Sequence, residues 1–396
     1  MKDTRPGNSA FTMGIGGIAA LLMSICVMSA FFIKPVLAAV CLPDTGIIVV
    51  DGMTFTVGRD CKGENWNYDA DQHTLFLDGY NGMYIDLSTQ ENAVISLSGK
   101  NTVASHLNVP AILVDGSLTI EGEGSLTAEV SACHCAVYAK NGDLTVRDTS
   151  VQIKASGVVE DSAYLLMADG GVEISGTKIQ IEDEIEGPGG AIGAMSGNLT
   201  VCGGTDISVS SASKGLTALE KEVHILDQGT SLDLVCEESA VYAKLSYVQE
   251  AGTTVHIESK NAESTALYCP EGDIHVTTSE LKVKSEGAAM AGELIIINDA
   301  YVAVPEEAVI RQVSAMVTVT SETGVAKEVH ILPGVAPTPT PTPTPTPIPP
   351  SPTPTPVPPA EDGFIMTPRM ILGGVLVIVA LVTFAVILVG KVRGRD

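Results

Sequence analysis

Residues 191–210, AIGAMSGNLTVCGGTDISVS, restate residues 136–155, AVYAKNGDLTVRDTSVQIKA. An Ala opens each copy, a small or aliphatic pair follows, then a polar corner, Leu-Thr-Val, a second corner and an aliphatic-x-aliphatic pair. With drift, the pattern begins at Ala111, Ala136, Ala163, Ala191, Gly215, Ala240, Ala266 and Ala288, so that starts fall 22–28 residues apart. Short strands repeated at that period predict an all-β solenoid whose coils bury their apolar faces only on neighbouring coils. Period-2 alternation puts i and i+2 on one strand face, which assigns inward pairs to three segments per coil. Examples are Val137 with Ala139, Leu144 with Val146, and Val151 with Ile153. Three inward pairs predict three parallel sheets around one aliphatic core. The intervening Asn141-Gly142-Asp143, Ser175-Gly176 and Gly203-Gly204 suit tight corners, some at positive φ.

This pattern resembles the parallel β-helix of pectate-lyase-like proteins, and right-handedness is what the resemblance implies. Ahead of it, Ile47-Ile48-Val49-Val50, Met53 to Val57 and Thr74 to Tyr80 read as strands of a cap over the first open coil. The run Gly63-Glu64-Asn65-Trp66-Asn67-Tyr68-Asp69 to Leu75-Phe76-Leu77-Asp78-Gly79-Tyr80, then Val94-Ile95-Ser96-Leu97-Ser98-Gly99, is similar to the opening of β-helix domains in carbohydrate-binding-domain-containing surface proteins of gut Firmicutes. The resemblance covers about residues 63–304 and implies an extracellular domain that binds a polysaccharide or a host or cell-wall glycan. On this basis residues 40–110 form the cap and first coils, and 111–332 the parallel β-helix.

The ends predict an address. Lys2 and Arg5 precede an uncharged run from Phe11 to Ile33 and the small residues Ala38-Ala39, which reads as a signal peptide over 1–39. Uncleaved, the same run would span the membrane and still leave the repeats outside. Leu42-Pro43-Asp44-Thr45-Gly46 spells a sortase motif, but on the wrong side of the repeats to serve as one. Residues 333–362 are rich in Pro and Thr, and the nearly pure Pro/Thr run from Pro337 to Pro359 makes a polyproline stalk that could reach about 70 Å. Residues 370–390 carry no charge and lie between Arg369 and Lys391, Arg393 and Arg395. That predicts one transmembrane helix with residues 391–396 as a cytoplasmic tail and the repeat domain outside the cell.

A formal net charge of −25 argues against nucleic acid and against anionic membrane surfaces. It suits Ca²⁺, and Glu182-Asp183-Glu184 with Glu186, expected in a long loop, are the candidate ligands, with a solvated acidic loop as the alternative. No other cofactor is indicated. Cys41 with Cys61 could staple the cap, Cys133-His134-Cys135 lacks a second ligand pair at zinc spacing, and Cys269 occupies a slot held elsewhere by Ala.

Function would be written on the outward ladders. The first reads Leu113, Tyr138, Leu165, Gly193, Thr217, Tyr242, Tyr268 and Met290. Adjacent coils put Tyr242 and Tyr268 about 4.8 Å apart, and with Tyr138 they are the candidate sugar-stacking residues, against packing under a neighbouring loop. The second reads Thr119, Thr145, Glu173, Thr200, His224, Gln249 and His275, and the third Thr127, Gln152, Gln180, Ser208, Asp233, His256 and Lys282. Neither sets out the paired carboxylates of glycoside hydrolysis. Between residues 60 and 310 the one arginine is Arg147, sparse equipment for an anionic glycan. Carbohydrate binding or surface adhesion is therefore expected ahead of a polysaccharide lyase or hydrolase, or of a structural spacer.

Overall fold

The computed structural model describes residues 47–337, apart from 57, 58, 89–91, 107, 132, 134 and 160–162. The signal peptide, Cys41, His134, the transmembrane helix, the cytoplasmic tail and all but the first residues of the stalk lie outside them.

A parallel β-solenoid of about eight turns spans residues 81–298. Among the described residues, three sheets of fourteen, twelve and eleven strands, capping strands included, run along it, and in each the sequence order of the coils is the spatial order. The first sheet stacks Ile112–Asp115, Val137–Lys140, Ala163–Ala168, Gly189–Ala194, Leu216–Ala218, Val241–Ala243, Thr265–Tyr268 and Ala288–Gly292. The inward pairs close into one core. Ile192, Ala194, Leu199, Val201, Ile207 and Val209 of a single coil are all buried, as are their equivalents above and below. Each large aliphatic so placed contributes roughly 1.5–3 kcal/mol. Corner residues at positive φ include Asn141, Gly176, Gly203 and Gly204.

One corner carries a feature the apolar pattern does not reveal. Thr149, Thr177, Thr205, Thr230, Thr253 and Ser279, each just before a strand of the third sheet, are all buried and form a hydroxyl ladder along the solenoid. Thr205 Oγ1 donates to the Cys202 carbonyl at 2.6 Å and accepts from the Thr177 amide at 3.3 Å. Thr230 Oγ1 donates to the Leu226 carbonyl and accepts from the Gly204 amide in the same way. Corner amides that no sheet pairs thus find acceptors in the following coil, and corner carbonyls find a donor in their own.

Both ends of the solenoid are covered by antiparallel strands. At the start, Ile47–Val50 pairs with Met53–Thr56, and Cys61–Gly63, Trp66–Asp69 and Thr74–Asp78 follow as a meander. Trp66 meets Phe55 edge to face at 5.2 Å between ring centroids. At the other end the parallel coils stop at Asn298, not at 332. Glu328–Pro333 pairs antiparallel with Glu280–Ser285, and Met316–Ser321 with Ala288–Gly292, so both close the last coil. Alternation is the same for parallel and antiparallel strands, so the sequence pattern cannot mark that change of direction.

Three register assignments are corrected. In the coil opened at Ala163, Val137 stands beside Leu166 and Tyr138 beside Met167, so Leu165 fills the inward Ala slot and Met167 faces out. In the coil opened at Ala288, Leu267 stands beside Met290, which is buried, and Ala291 takes the outward place. In the second sheet His224 stands beside Val248, not Gln249. Gln249 is fully buried and satisfied there: Tyr247 donates its hydroxyl proton to Gln249 Oε1 at 3.0 Å, and Gln249 Nε2 donates to the Glu280 carbonyl at 2.8 Å.

Candidate functional site

The first ladder, in its corrected register, runs Leu113, Tyr138, Met167, Gly193, Thr217, Tyr242, Tyr268 and Ala291. Tyr242 and Tyr268 are brought together, with ring centroids 6.0 Å apart and planes inclined by 66°. They meet edge to face and do not form one flat platform, so a pyranose can lie on either ring but not across both. Tyr138 stands four coils from Tyr242 and donates its hydroxyl proton to Asp169 Oδ1 at 2.8 Å. It belongs to a different part of the face.

Beside the pair is an aromatic residue the ladder pattern omits. Tyr164 pairs with Gly190 and lies folded over the next coil, where a Cβ at Gly193 or at Gly190 would run into its ring. Those two glycines make the seat for Tyr164. Tyr164, Lys214, Thr217, Leu219, Ser239 and Tyr242 then line a cavity of about 100 Å³ on the outer face of the first sheet. Lys214 and Ser239 come from adjacent coils, since the Ala191 amide donates to the Lys214 carbonyl and the Gly215 amide to the Ser239 carbonyl.

The chemistry of this hollow is mixed. Two phenol rings and the half-exposed Leu219 supply apolar wall. The Lys214 ammonium is held by Glu238 at 3.7 Å. Thr217 is 2% exposed and its hydroxyl has no hydrogen-bond partner in the protein. Burial, and then the neighbouring Tyr268 and Glu271, push the Tyr242 phenol upward, which keeps it a proton donor at neutral pH. Larger hollows of about 310 and 340 Å³ lie on the other two sheets. They are lined by Thr145, Glu173 and Thr200, and by Lys100, Gln152 and Lys178, without an aromatic side chain.

The acidic run does not make a common ligand set. Glu182, Asp183, Glu184 and Glu186 lie in the strand Lys178–Glu186, not in a loop, paired with Lys154 to Val158 of the coil before. Strand alternation turns Glu182 and Glu184 outward and Asp183 inward, where it is 1% exposed and accepts from the Ile185 amide at 3.0 Å. Among the described residues no three His, Cys, Asp or Glu side chains are placed to share a metal ion.

The third ladder holds its expected register from Thr127 through Asp233, His256 and Lys282, and the closing strand adds His330 beside Lys282. Glu280 Oε1 lies 3.0 Å from His330 Nε2 and 3.8 Å from His256 Nε2. His256 and Glu280 are more than a third exposed, so solvent screens their pairing. Cys61 forms no disulfide among the described residues, outside which its expected partner Cys41 lies, and Cys269 is a buried core residue in the Ala slot.

No family model matches the chain, and neither a curated protein nor a solved structure does.

Proposed function

We propose that this chain is a membrane-anchored, extracellular glycan-binding solenoid, and that its binding face is the outer surface of the first sheet around Tyr164, Thr217, Tyr242 and Tyr268. The observation that carries this is the juxtaposition of the Tyr242–Tyr268 pair with a cavity that is part aromatic and part hydroxyl. Aromatic rings take the apolar face of a pyranose, and convergent hydroxyls orient it. The apolar segment at 370–390, the basic residues after it and the Pro/Thr stalk support the address. The resemblance of residues 63–304 to carbohydrate-binding β-helix surface proteins supports the ligand class.

The test is retention of the full chain, purified in a detergent without sugar headgroups, on immobilised plant, mucin and cell-wall polysaccharides. Selective retention is expected, with a loss of at least tenfold in affinity for Tyr242→Ala combined with Tyr268→Ala. Retention on none of them, or unchanged retention of the double variant, refutes this face as a glycan site. New reducing or unsaturated ends in the glycan would point to degradation instead.

A further inference from the structure

We propose that the cavity under Tyr164 and Tyr242 receives the acetamido group of an N-acetylated hexosamine whose ring stacks on the tyrosine pair. The inference rests on the glycan-binding reading and narrows it to one class of sugar.

Size is the first argument. A cavity of about 100 Å³ is too small for a pyranose, which needs roughly twice that at interior packing density, whereas an acetamido group needs roughly two-thirds of it. What enters is a substituent, and the sugar ring stays outside. The inclination of 66° between Tyr242 and Tyr268 makes the same demand from the other side. A ring stacked on one tyrosine alone is free to slide and turn, and a substituent held in the adjoining cavity would fix it.

The wall selects the substituent. Tyr164, Tyr242 and Leu219 offer apolar surface to a methyl group. Thr217 is 98% buried by its 2% exposure, lines the cavity, and has a hydroxyl with no partner in the protein. A hydroxyl left so is costly unless something supplies a hydrogen bond. The Thr217 oxygen is closed to solvent as the side chain stands, and a χ1 turn into the cavity would let a short, half-apolar group with one carbonyl and one amide N–H satisfy it, while Ser239 on the next coil offers a second hydroxyl. A carboxylate fits less well, because the one cation at the cavity, Lys214, already faces Glu238. A plain sugar hydroxyl fills neither the volume nor the apolar wall.

The experiment measures binding of the full chain, in detergent without sugar headgroups, to methyl β-glycosides of N-acetylglucosamine and N-acetylgalactosamine, and of glucose and galactose. Saturation-transfer NMR reads which ligand protons touch the protein. At least one acetylated sugar is expected to bind tenfold or more tighter than its unacetylated counterpart, with the acetyl methyl as the most saturated group. Thr217→Val keeps the shape and removes the hydroxyl, and should cut that preference below threefold. Leu219→Arg, at a half-exposed rim position, closes the cavity mouth without touching the core and should do the same. Equal affinity for both members of each pair overturns this inference and leaves glycan binding standing. An acetyl preference that survives both variants puts the group elsewhere and also overturns it. Binding of none of the four overturns this inference even where a polysaccharide is retained, and with no retention on any polysaccharide both proposals fall together.

Discussion

Tyr247 and Gln249 place two polar groups inside an aliphatic core, and the cost of separating them can be worked from their bonds. Tyr247→Phe deletes the hydroxyl that donates to Gln249 Oε1 at 3.0 Å and leaves that oxygen buried without a donor. One such orphaned group costs about 1–3 kcal/mol. Gln249→Met, close in volume, leaves the buried Tyr247 hydroxyl without its acceptor and takes a second donor from the Glu280 carbonyl, which keeps its place in the parallel ladder. Its loss should likewise be about 1–3 kcal/mol. The double variant leaves neither the hydroxyl nor the amide oxygen orphaned, so it should be less destabilised than the sum of the singles by about 1 kcal/mol or more. The assay is guanidinium unfolding followed by far-UV circular dichroism. The single tryptophan, Trp66, sits in the starting cap and would report that end, whereas dichroism reports the coils. Additive losses, within about 0.3 kcal/mol, would refute the buried pair.

Two further outcomes follow from the core. A Cβ at Gly272 would overlap the Leu245 carbonyl of the coil before, and Gly79 is held at φ +68° with open space around it. Gly272→Asn should therefore destabilise by about 1–3 kcal/mol or more, as should Gly272→Ala, whereas Gly79→Asn should be close to neutral because Asn tolerates the left-handed region. Equal losses in guanidinium unfolding at the two sites would refute the close approach. Burial pushes the Cys236 and Cys269 thiols from 9.0 up to about 12. The unfolded chain then releases these protons first, so their contribution is whole below about pH 9 and is lost as pH climbs toward 12. Melting temperature should fall over that window, less steeply in Cys236→Ala combined with Cys269→Ala. Equal slopes for the two proteins would show that the thiols are already ionised when folded.

What the sequence made legible, and what it did not, divides along the nature of the signal. The third ladder was readable throughout because its inward slots are large aliphatics in every coil from Val151 to Val283. The first failed where a small residue served as the marker: Ala163 looks like a coil start, yet Leu165 occupies the slot. Gln249 was put outside because alternation reads polarity, and a polar residue satisfied by a buried tyrosine breaks that rule without breaking the physics. The buried corner ladder was visible as a Thr or Ser before every third segment from Thr149 to Ser279, but it carries no apolar signal to find it by. The acidic run has the composition of a loop and the burial alternation of a strand, and its inward Asp183 is what separates the two. The Tyr242–Tyr268 pair was legible because neighbours in one column of a regular stack need no further geometry. The cavity beside it was not. It depends on Tyr164 reaching over Gly190 and Gly193, which lie one coil on, and on Lys214 and Ser239 from a second outward column. A repeat predicts what recurs, whereas a binding site on a solenoid is made where the recurrence lapses, here at two glycines and an unpartnered threonine between the outward Met167 and Tyr242.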